Sequence, residues 1–288
     1  AAQQFYVSTT GRNSNIGTAQ KPVATLQKAQ ALVRDFKKAN PGYTGEIVVT
    51  VMPGTYELSS SLSFNEPDAG SDKIQVRWQA FAKNKVILSG GKNINGRLFK
   101  KVTNPTILAR LEKNAAENVV EVSLTKLGIT NFGTHQSYGH GQPVIPAPLE
   151  LYYNQDPLVL AHYPNNGAVK IGKVIDKGSV PRIGDKSNRG GLFNYTDNRQ
   201  SKWVGQKDIW IQGTFNYGFA DDYINIANID TTKKEIKLAS PHIYGIANGR
   251  DFQEYIAYNI LEELDSPGEW WLDNKTGMLY IWPPANNN

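Results

Sequence analysis

Ile47-Val48-Val49-Thr50-Val51 sets five β-branched side chains in a row, and Pro53-Gly54 closes the run. Such side chains are stiff at χ1 and suit a pleated surface better than a helix. A nearly continuous apolar run, rather than an alternating one, points to a strand buried on both faces, as in stacked parallel sheets. Shorter strand candidates follow at 56–58, 62–64, 74–78 and 86–88, with Gly, Pro, Asn or Ser between them. Ahead of the run lie a short strand, Phe5-Tyr6-Val7-Ser8, and an Asn- and Ser-rich loop from Gly11 to Gly17.

Between that loop and the run, the sequence predicts one long helix over 25–39. Leu26, Ala29, Leu32, Val33 and Phe36 recur at three- and four-residue spacing and form one apolar face. Lys28, Arg34, Lys37 and Lys38 project away from it, and Asn40-Pro41-Gly42 ends it. Stacked parallel strands leave unpaired backbone groups at an open end, and an amphipathic helix can cover them. A βαβ arrangement competes, but it would show further helices after residue 40, and none of comparable quality occurs.

From residue 98 the texture changes. Aromatic-rich pieces such as Leu149-Glu150-Leu151-Tyr152-Tyr153, Ile209-Trp210-Ile211 and the segments 223–229, 255–260 and 270–282 are separated by turn signals. Short, regularly punctuated strands suggest an antiparallel sandwich or barrel. The expected organisation is therefore a first domain over 1–97 and a second over 98–288, with 173–202 as a long exposed loop.

Composition narrows the function classes. The chain has 288 residues and no cysteine, which excludes a disulfide scaffold, thiol catalysis and cysteine-ligated zinc. Its net charge of +5 is dispersed, without the dense Lys/Arg footprint of a nucleic-acid binder. No apolar stretch approaches the roughly 20 residues that span a bilayer. The start, Ala1-Ala2-Gln3-Gln4, reads like the end left by cleavage after a small residue, so a secreted, periplasmic or cell-surface location is expected. No phosphate-binding loop, zinc-protease helix or nucleophile elbow is present. Asn194-Tyr195-Thr196 and Asn274-Lys275-Thr276 are formal glycosylation sequons.

Several motifs occur together and in order: Phe5-Tyr6-Val7-Ser8-Thr9-Thr10-Gly11, Gly17-Thr18, Lys21-Pro22-Val23-Ala24-Thr25-Leu26, Val51-Met52-Pro53-Gly54-Thr55-Tyr56 and Leu88-Ser89-Gly90-Gly91. Leu160-Ala161-His162-Tyr163-Pro164-Asn165, Leu261-Glu262-Glu263-Leu264-Asp265 and Pro267-Gly268-Glu269-Trp270-Trp271-Leu272-Asp273 with Gly277-Met278-Leu279-Tyr280 follow. In this combination the chain resembles the N-terminal part of secreted right-handed parallel β-helix proteins that include glycoside hydrolases of plant or algal polysaccharides. The resemblance implies a mainly β fold: a right-handed parallel β-helix start with a capping α-helix, and an inserted β-sandwich or barrel-like domain. It implies a polysaccharide or glycan as partner, with acid/base carboxylates on later coils that would begin near Pro283-Pro284-Ala285-Asn286-Asn287-Asn288. No catalytic residue is therefore assigned within the chain; a non-catalytic carbohydrate-binding or adhesion module, or a subunit of an extracellular assembly, are the alternatives. Asn13 stands where such openings commonly carry Asp, which removes a carboxylate from a potential calcium loop; no cofactor is expected.

Glycoside cleavage needs two carboxyl groups flanking the scissile bond. Asp221 and Asp222 lie near Trp210, Phe215, Tyr217 and Phe219, where aromatic faces could stack on sugar rings while carboxylates accept hydroxyl hydrogen bonds. The same residues also suit a turn beside ordinary core aromatics. Glu254, with Glu262, Glu263 and Asp265, forms a second acidic group that equally suits capping or salt bridging. His162 lies within a matched motif and is a candidate for positioning substrate, or for packing at a strand end. His135 and His140, in a Gly-rich loop, read as surface residues rather than metal ligands. The expected substrate-binding set is therefore His162, Trp210, Tyr217, Asp221, Asp222 and Glu254, with no metal.

Overall fold

The computed structural model describes residues 2–146 and 148–285. Expectations attached to Ala1 and to Asn286, Asn287 and Asn288 lie outside them. The chain divides into two compact units, residues 1–94 and 95–288.

In the first unit, β1 (Gln3–Val7), α1 (Leu26–Ala39), β2 (Gly45–Val51), β3 (Gly54–Glu57), β4 (Ile74–Ala80) and β5 (Val86–Ser89) follow in order. The strands pair in parallel as β1-β2-β4 and β3-β5. The β-branched run is the central strand β2, and Ile47, Val48, Val49, Thr50 and Val51 are all buried. Leu26, Ala29 and Val33 of α1 join Phe5, Ile47 and Val49 in one apolar cluster. Thr25 caps the helix, its hydroxyl accepting from Lys28 N at 3.2 Å, and Lys37 and Lys38 complement the dipole in the last turn. Arg34 does more than face solvent. It clamps the buried Asp68, whose two oxygens accept from Nε and Nη2 at 2.7 Å, and these bonds hold the carboxyl down at about 2.

The second unit opens with β6 (Lys100–Lys101), α2 (Pro105–Leu108), α3 (Lys113–Asn118), β7 (Val120–Ser123), β8 (Tyr138–Gly139), β9 (Tyr152–Tyr153), β10 (Asp156–Pro157), β11 (Val159–Leu160) and β12 (His162–Tyr163). It continues with β13 (Val169–Lys170), β14 (Val174–Asp176), β15 (Leu192–Asn194), β16 (Trp210–Thr214), β17 (Asp221–Asp230), β18 (Glu235–Leu238), β19 (Glu254–Tyr258), β20 (Glu269–Asp273) and β21 (Met278–Ile281). A nine-stranded antiparallel sheet runs β12-β19-β16-β17-β18-β15-β14, with β13 also on β19 and β8 on β17. A five-stranded sheet runs β11-β20-β21-β7-β6 and is antiparallel except for β11 on β20. β9 and β10 form a separate antiparallel pair.

This architecture corrects the expected fold class. It is mainly β, but no right-handed parallel β-helix is formed among the described residues, and most pairing is antiparallel. Among the described residues, parallel pairing occurs in the two small sheets of the first unit, in a single Val7–Val23 bridge beside them, and between β11 and β20. The physical reason is that a continuous apolar run reports burial on both faces, not the number of rungs stacked beyond it. A central strand between two neighbours, under one helix, satisfies it equally. The sandwich or barrel expected for 98–288 is corrected too. The nine-stranded sheet covers a cluster around Phe193, Trp203, Ile211, Phe215, Ile224 and Tyr255, whereas the five-stranded sheet covers another around Val119, Leu261, Trp271 and Tyr280. Each sheet has its own core.

Two ion-pair groups lie at the core margins. Glu263, fully buried, binds Arg199 at 2.7 Å and accepts from Trp203 Nε1 at 2.6 Å. Burial pushes its carboxyl up, while the arginine and indole oppose that rise. Arg199 also meets Asp265 and Glu112, and Glu262 pairs with Arg110 at 2.6 Å.

Candidate functional site

Side chains alternate across a strand, so β17 sends Asp222, Ile224 and Ile226 to one face and Asp221, Tyr223 and Asn225 to the other. The first face meets the core. On the second, cross-strand register builds two rows: Tyr138, Tyr223 and Gln212 lie side by side, as do Trp210, Tyr258 and His162. Strands about 4.8 Å apart bring these rings into stacking range. Tyr223 stacks on Tyr138 at 4.7 Å between centroids and on Trp210 at 4.9 Å, nearly parallel to the latter at 9°.

Above this floor, Pro148, Leu149, Leu151, Tyr152, Pro157, Leu158 and Leu160 enclose a cleft of about 370 Å³, which Trp270 also lines. Its polar groups are His135, Glu150, Gln212 and the tyrosine hydroxyls. Tyr223 Oη lies 3.3 Å from His135 Nδ1, and Tyr138 Oη donates to Gln212 Oε1 at 3.5 Å. Burial pushes the Tyr223, Tyr138 and Tyr258 phenols up and the His135 imidazole down, with Asp208 opposing the histidine's fall. Near neutral pH these groups are all uncharged. Among the described residues the lining carries one acidic side chain, Glu150, which accepts from Tyr152 Oη at 2.9 Å. The indole N–H of Trp270 is buried and has no hydrogen-bond partner.

Glycine makes the floor possible at Gly139. Its φ is +126°, and a Cβ there would lie 2.5 Å from Asp221 O and 2.8 Å from Asp222 Cα. Only a residue without a side chain lets β8 approach β17 closely enough to set Tyr138 against Tyr223.

The six expected site residues separate. Trp210 is buried and outside the cleft lining, stacked on Tyr223 with its Nε1 donating to Asp208 at 2.7 Å. His162 stacks on Tyr258 at 5.7 Å and buttresses it from behind. Its Nδ1 is 2.9 Å from Glu269 Oε1, a close contact without hydrogen-bond alignment. The other Glu269 oxygen accepts from Asp265 N and Ser266 N. Asp221 is exposed on the outer face, while Asp222 is buried on the core face with Gln142 Nε2 at 3.3 Å. Burial raises the Asp222 carboxyl to about 7. The adjacent aspartates therefore point apart and do not flank a common ligand. Glu254 is held by Lys170 at 2.6 Å, and Tyr217 lies in an exposed aromatic group away from the cleft lining.

The residues that line the cleft, Tyr138, Tyr223, Tyr258, Gln212, His135, Glu150 and Trp270, were not singled out as binding residues. The usable signal was alternation in 221–226, where polar or aromatic residues take odd positions and two isoleucines take even ones. Asn13, in the loop considered for calcium, spends its Oδ1 on Ala24 N, Thr25 N and Thr25 Oγ1. Among the described residues no cluster of three or more His, Asp or Glu is arranged for a metal, and no helix is long and apolar enough to cross a membrane.

Fold and cleft thus define a mainly β protein with an aromatic-walled, largely uncharged cleft on one face of an antiparallel sheet. No protein-family model matches the chain, and none of the curated proteins matches it. Among solved structures, one described as "Glycoside hydrolase" superposes with a TM-score of 0.71 at 18% identity, over 99% of this chain and 44% of that one. The likeness is one of fold, and this chain spans less than half the length of that protein. A second, described as the complex structure of XylC with xylose, reaches a TM-score of only 0.26 at 12% identity, over 94% of this chain and 33% of that one. At that score the shapes do not correspond.

Proposed function

We propose that the chain recognises a neutral glycan in the cleft floored by Tyr138, Tyr223 and Tyr258, as part of a carbohydrate-active protein. The observation that carries this reading is the pairing of stacked aromatic rings with uncharged hydrogen-bonding groups. A sugar ring has an apolar C–H face, which the electron-rich face of an aromatic ring attracts, and a hydroxyl rim. His135, Gln212 and the phenols suit hydroxyls, which donate and accept. Among the described residues no Lys or Arg lines the cleft, so the +5 net charge is not focused there and an anionic glycan finds no counter-charge.

The fold likeness to a protein described as a glycoside hydrolase supports the carbohydrate-active setting. Hydrolysis needs two opposed carboxyl groups, and the cleft lining supplies one, Glu150, so recognition is the role assigned to this chain. Titration calorimetry with neutral and uronate-containing oligosaccharides tests it. Neutral ligands should bind, and Tyr258→Ala should weaken them about tenfold, the equivalent of one lost aromatic contact of about 1.4 kcal/mol. Binding of uronates alone, or an unchanged affinity in Tyr258→Ala, would refute the reading.

A further inference from the structure

The aromatic residues around Asp221 and Asp222 do not form one group. Trp210 and Phe215 are buried, whereas Tyr217 is 49% exposed and Phe219 65% exposed. These two rings lie nearly parallel, 12° apart in plane with centroids 5.6 Å apart. Tyr244 supports both edge-on, at 5.0 Å from Tyr217 and 5.9 Å from Phe219. His140 packs edge-on to Phe219 at 5.3 Å and stacks on Tyr244.

The loop that carries the rings is held rather than free. Phe215 roots it in the core, Asn216 Nδ2 donates to Tyr244 O at 2.9 Å, and Ala220 N donates to Tyr217 O at 3.0 Å. Exposed aromatic surface that remains fixed in the free protein costs little ordering on binding. Tyr217 carries its own hydroxyl, and the exposed Asp221 follows Phe219 by two residues in the chain.

Continuity with the cleft comes from one short segment. Tyr138 floors the cleft and His140 packs on the platform, two residues apart, or about 7 Å along an extended chain. Both are fixed to β17: Tyr138 pairs with Tyr223, and His140 N donates to Asp221 O at 2.8 Å.

We infer that Tyr217 and Phe219 form a second sugar-stacking platform beside the cleft, so that the ligand is an oligosaccharide or polysaccharide occupying both. This deepens the glycan-binding reading and rests on it. A saccharide confined to the cleft gains nothing from the platform, and one long enough to leave it meets a second aromatic face.

The test is calorimetry of the full chain against a series of one neutral oligosaccharide from disaccharide to hexasaccharide, chosen by a binding screen of plant and algal cell-wall glycans. The wild type should bind the longest members at least about tenfold more tightly than the shortest. Tyr217→Ala with Phe219→Ala should abolish that gain and leave the shortest ligand's affinity unchanged. Phe219→Leu, which keeps apolar contact with His140 and Tyr244 but loses the flat face, should lose part of the gain without unfolding. A length dependence that survives in both variants overturns the platform while the cleft reading stands. Loss of long-chain binding in the platform variants, with Tyr258→Ala unaffected, keeps the platform and overturns the cleft. A screen in which no glycan binds the wild type overturns both.

Discussion

Asp222 offers the sharpest quantitative test of the structure, because burial alone dominates its behaviour. Its carboxyl is 1% exposed, and loss of hydration raises it from 3.8 to about 7; the bonds from Gln142 Nε2 and Tyr223 N pull the other way without prevailing. Between these two values the folded chain keeps a proton that the unfolded chain has released. Stability must therefore fall as pH rises from about 4 to about 7, and the contribution is fully present only below about 4. A gap of about three pH units at about 1.4 kcal/mol each is on the order of 4 kcal/mol.

Asp222→Asn keeps the shape and the acceptor oxygen and removes the titration. Urea unfolding at intervals between pH 4 and 8, followed by tryptophan fluorescence, reads the second unit, since five of the six tryptophans lie within 95–288. Other groups titrate in the same range. Glu263 is raised and acts with the same sign, whereas His135 and His242 are lowered by burial and oppose it. The wild-type minus variant difference cancels them. That difference should drop by several kcal/mol from pH 4 to pH 8, with the asparagine variant the more stable protein at the alkaline end. A difference that stays flat, or rises with pH, would show that Asp222 is hydrated or charge-paired in the folded protein and would refute the argument.

Gly139→Ala should break the seating of β8 on β17, because the added carbon meets backbone that cannot yield; a lower melting temperature, equivalent to about 1–3 kcal/mol, and lost glycan affinity are expected, and retention of both would contradict the close approach described. Glu263→Ala should lower the urea midpoint more than Asp265→Ala, since the first strands the Arg199 and Trp203 donors at a fully buried site and the second carboxylate is 21% exposed; equal midpoints would count against a buried role for Glu263. Asp68 is held below its ordinary value, so its contribution to the first unit is present above about pH 4 and disappears as pH falls towards about 2. Hydrogen exchange of α1 amides should accordingly separate Asp68→Asn from the wild type at pH 6 and converge with it near pH 2.

What the sequence revealed was governed by range. The helix Leu26–Ala39 was legible because its apolar period and its Asn40-Pro41 stop are local. The buried strand Gly45–Val51 was legible because five β-branched residues leave no alternative local structure. Pairing was not legible, since Val49 contacts Phe5 on one side and Trp78 on the other through choices made far away in the chain. The cleft suffered more. Its floor comes from β8, β16, β17 and β19, and its cover from 148–160, so no single stretch of sequence contains the whole site. Tyr138 was lost in a Gly-rich segment whose glycine, read as a sign of looseness, allows the closest strand contact in the site.

The separation of Asp221 from Asp222 shows how one strand serves two demands. A pair of neighbouring carboxylates invites a reading as paired chemistry, but alternation sends one into the core and the other to the surface. The same alternation places Ile224 and Ile226 against the core while Tyr223 faces outwards, so stability and recognition are divided between even and odd positions of β17. An outward row of large aromatics would ordinarily be a liability on a β-surface. Here the rings cover one another: Tyr223 is sandwiched between Tyr138 and Trp210, and Tyr258 is covered on one side by His162. Their stacking fixes the rings in the free protein, so that Tyr138 and Tyr258 on the cleft lining need not first be ordered. The sheet's packing on its outer face is thus the same physical event as preparation of the cleft.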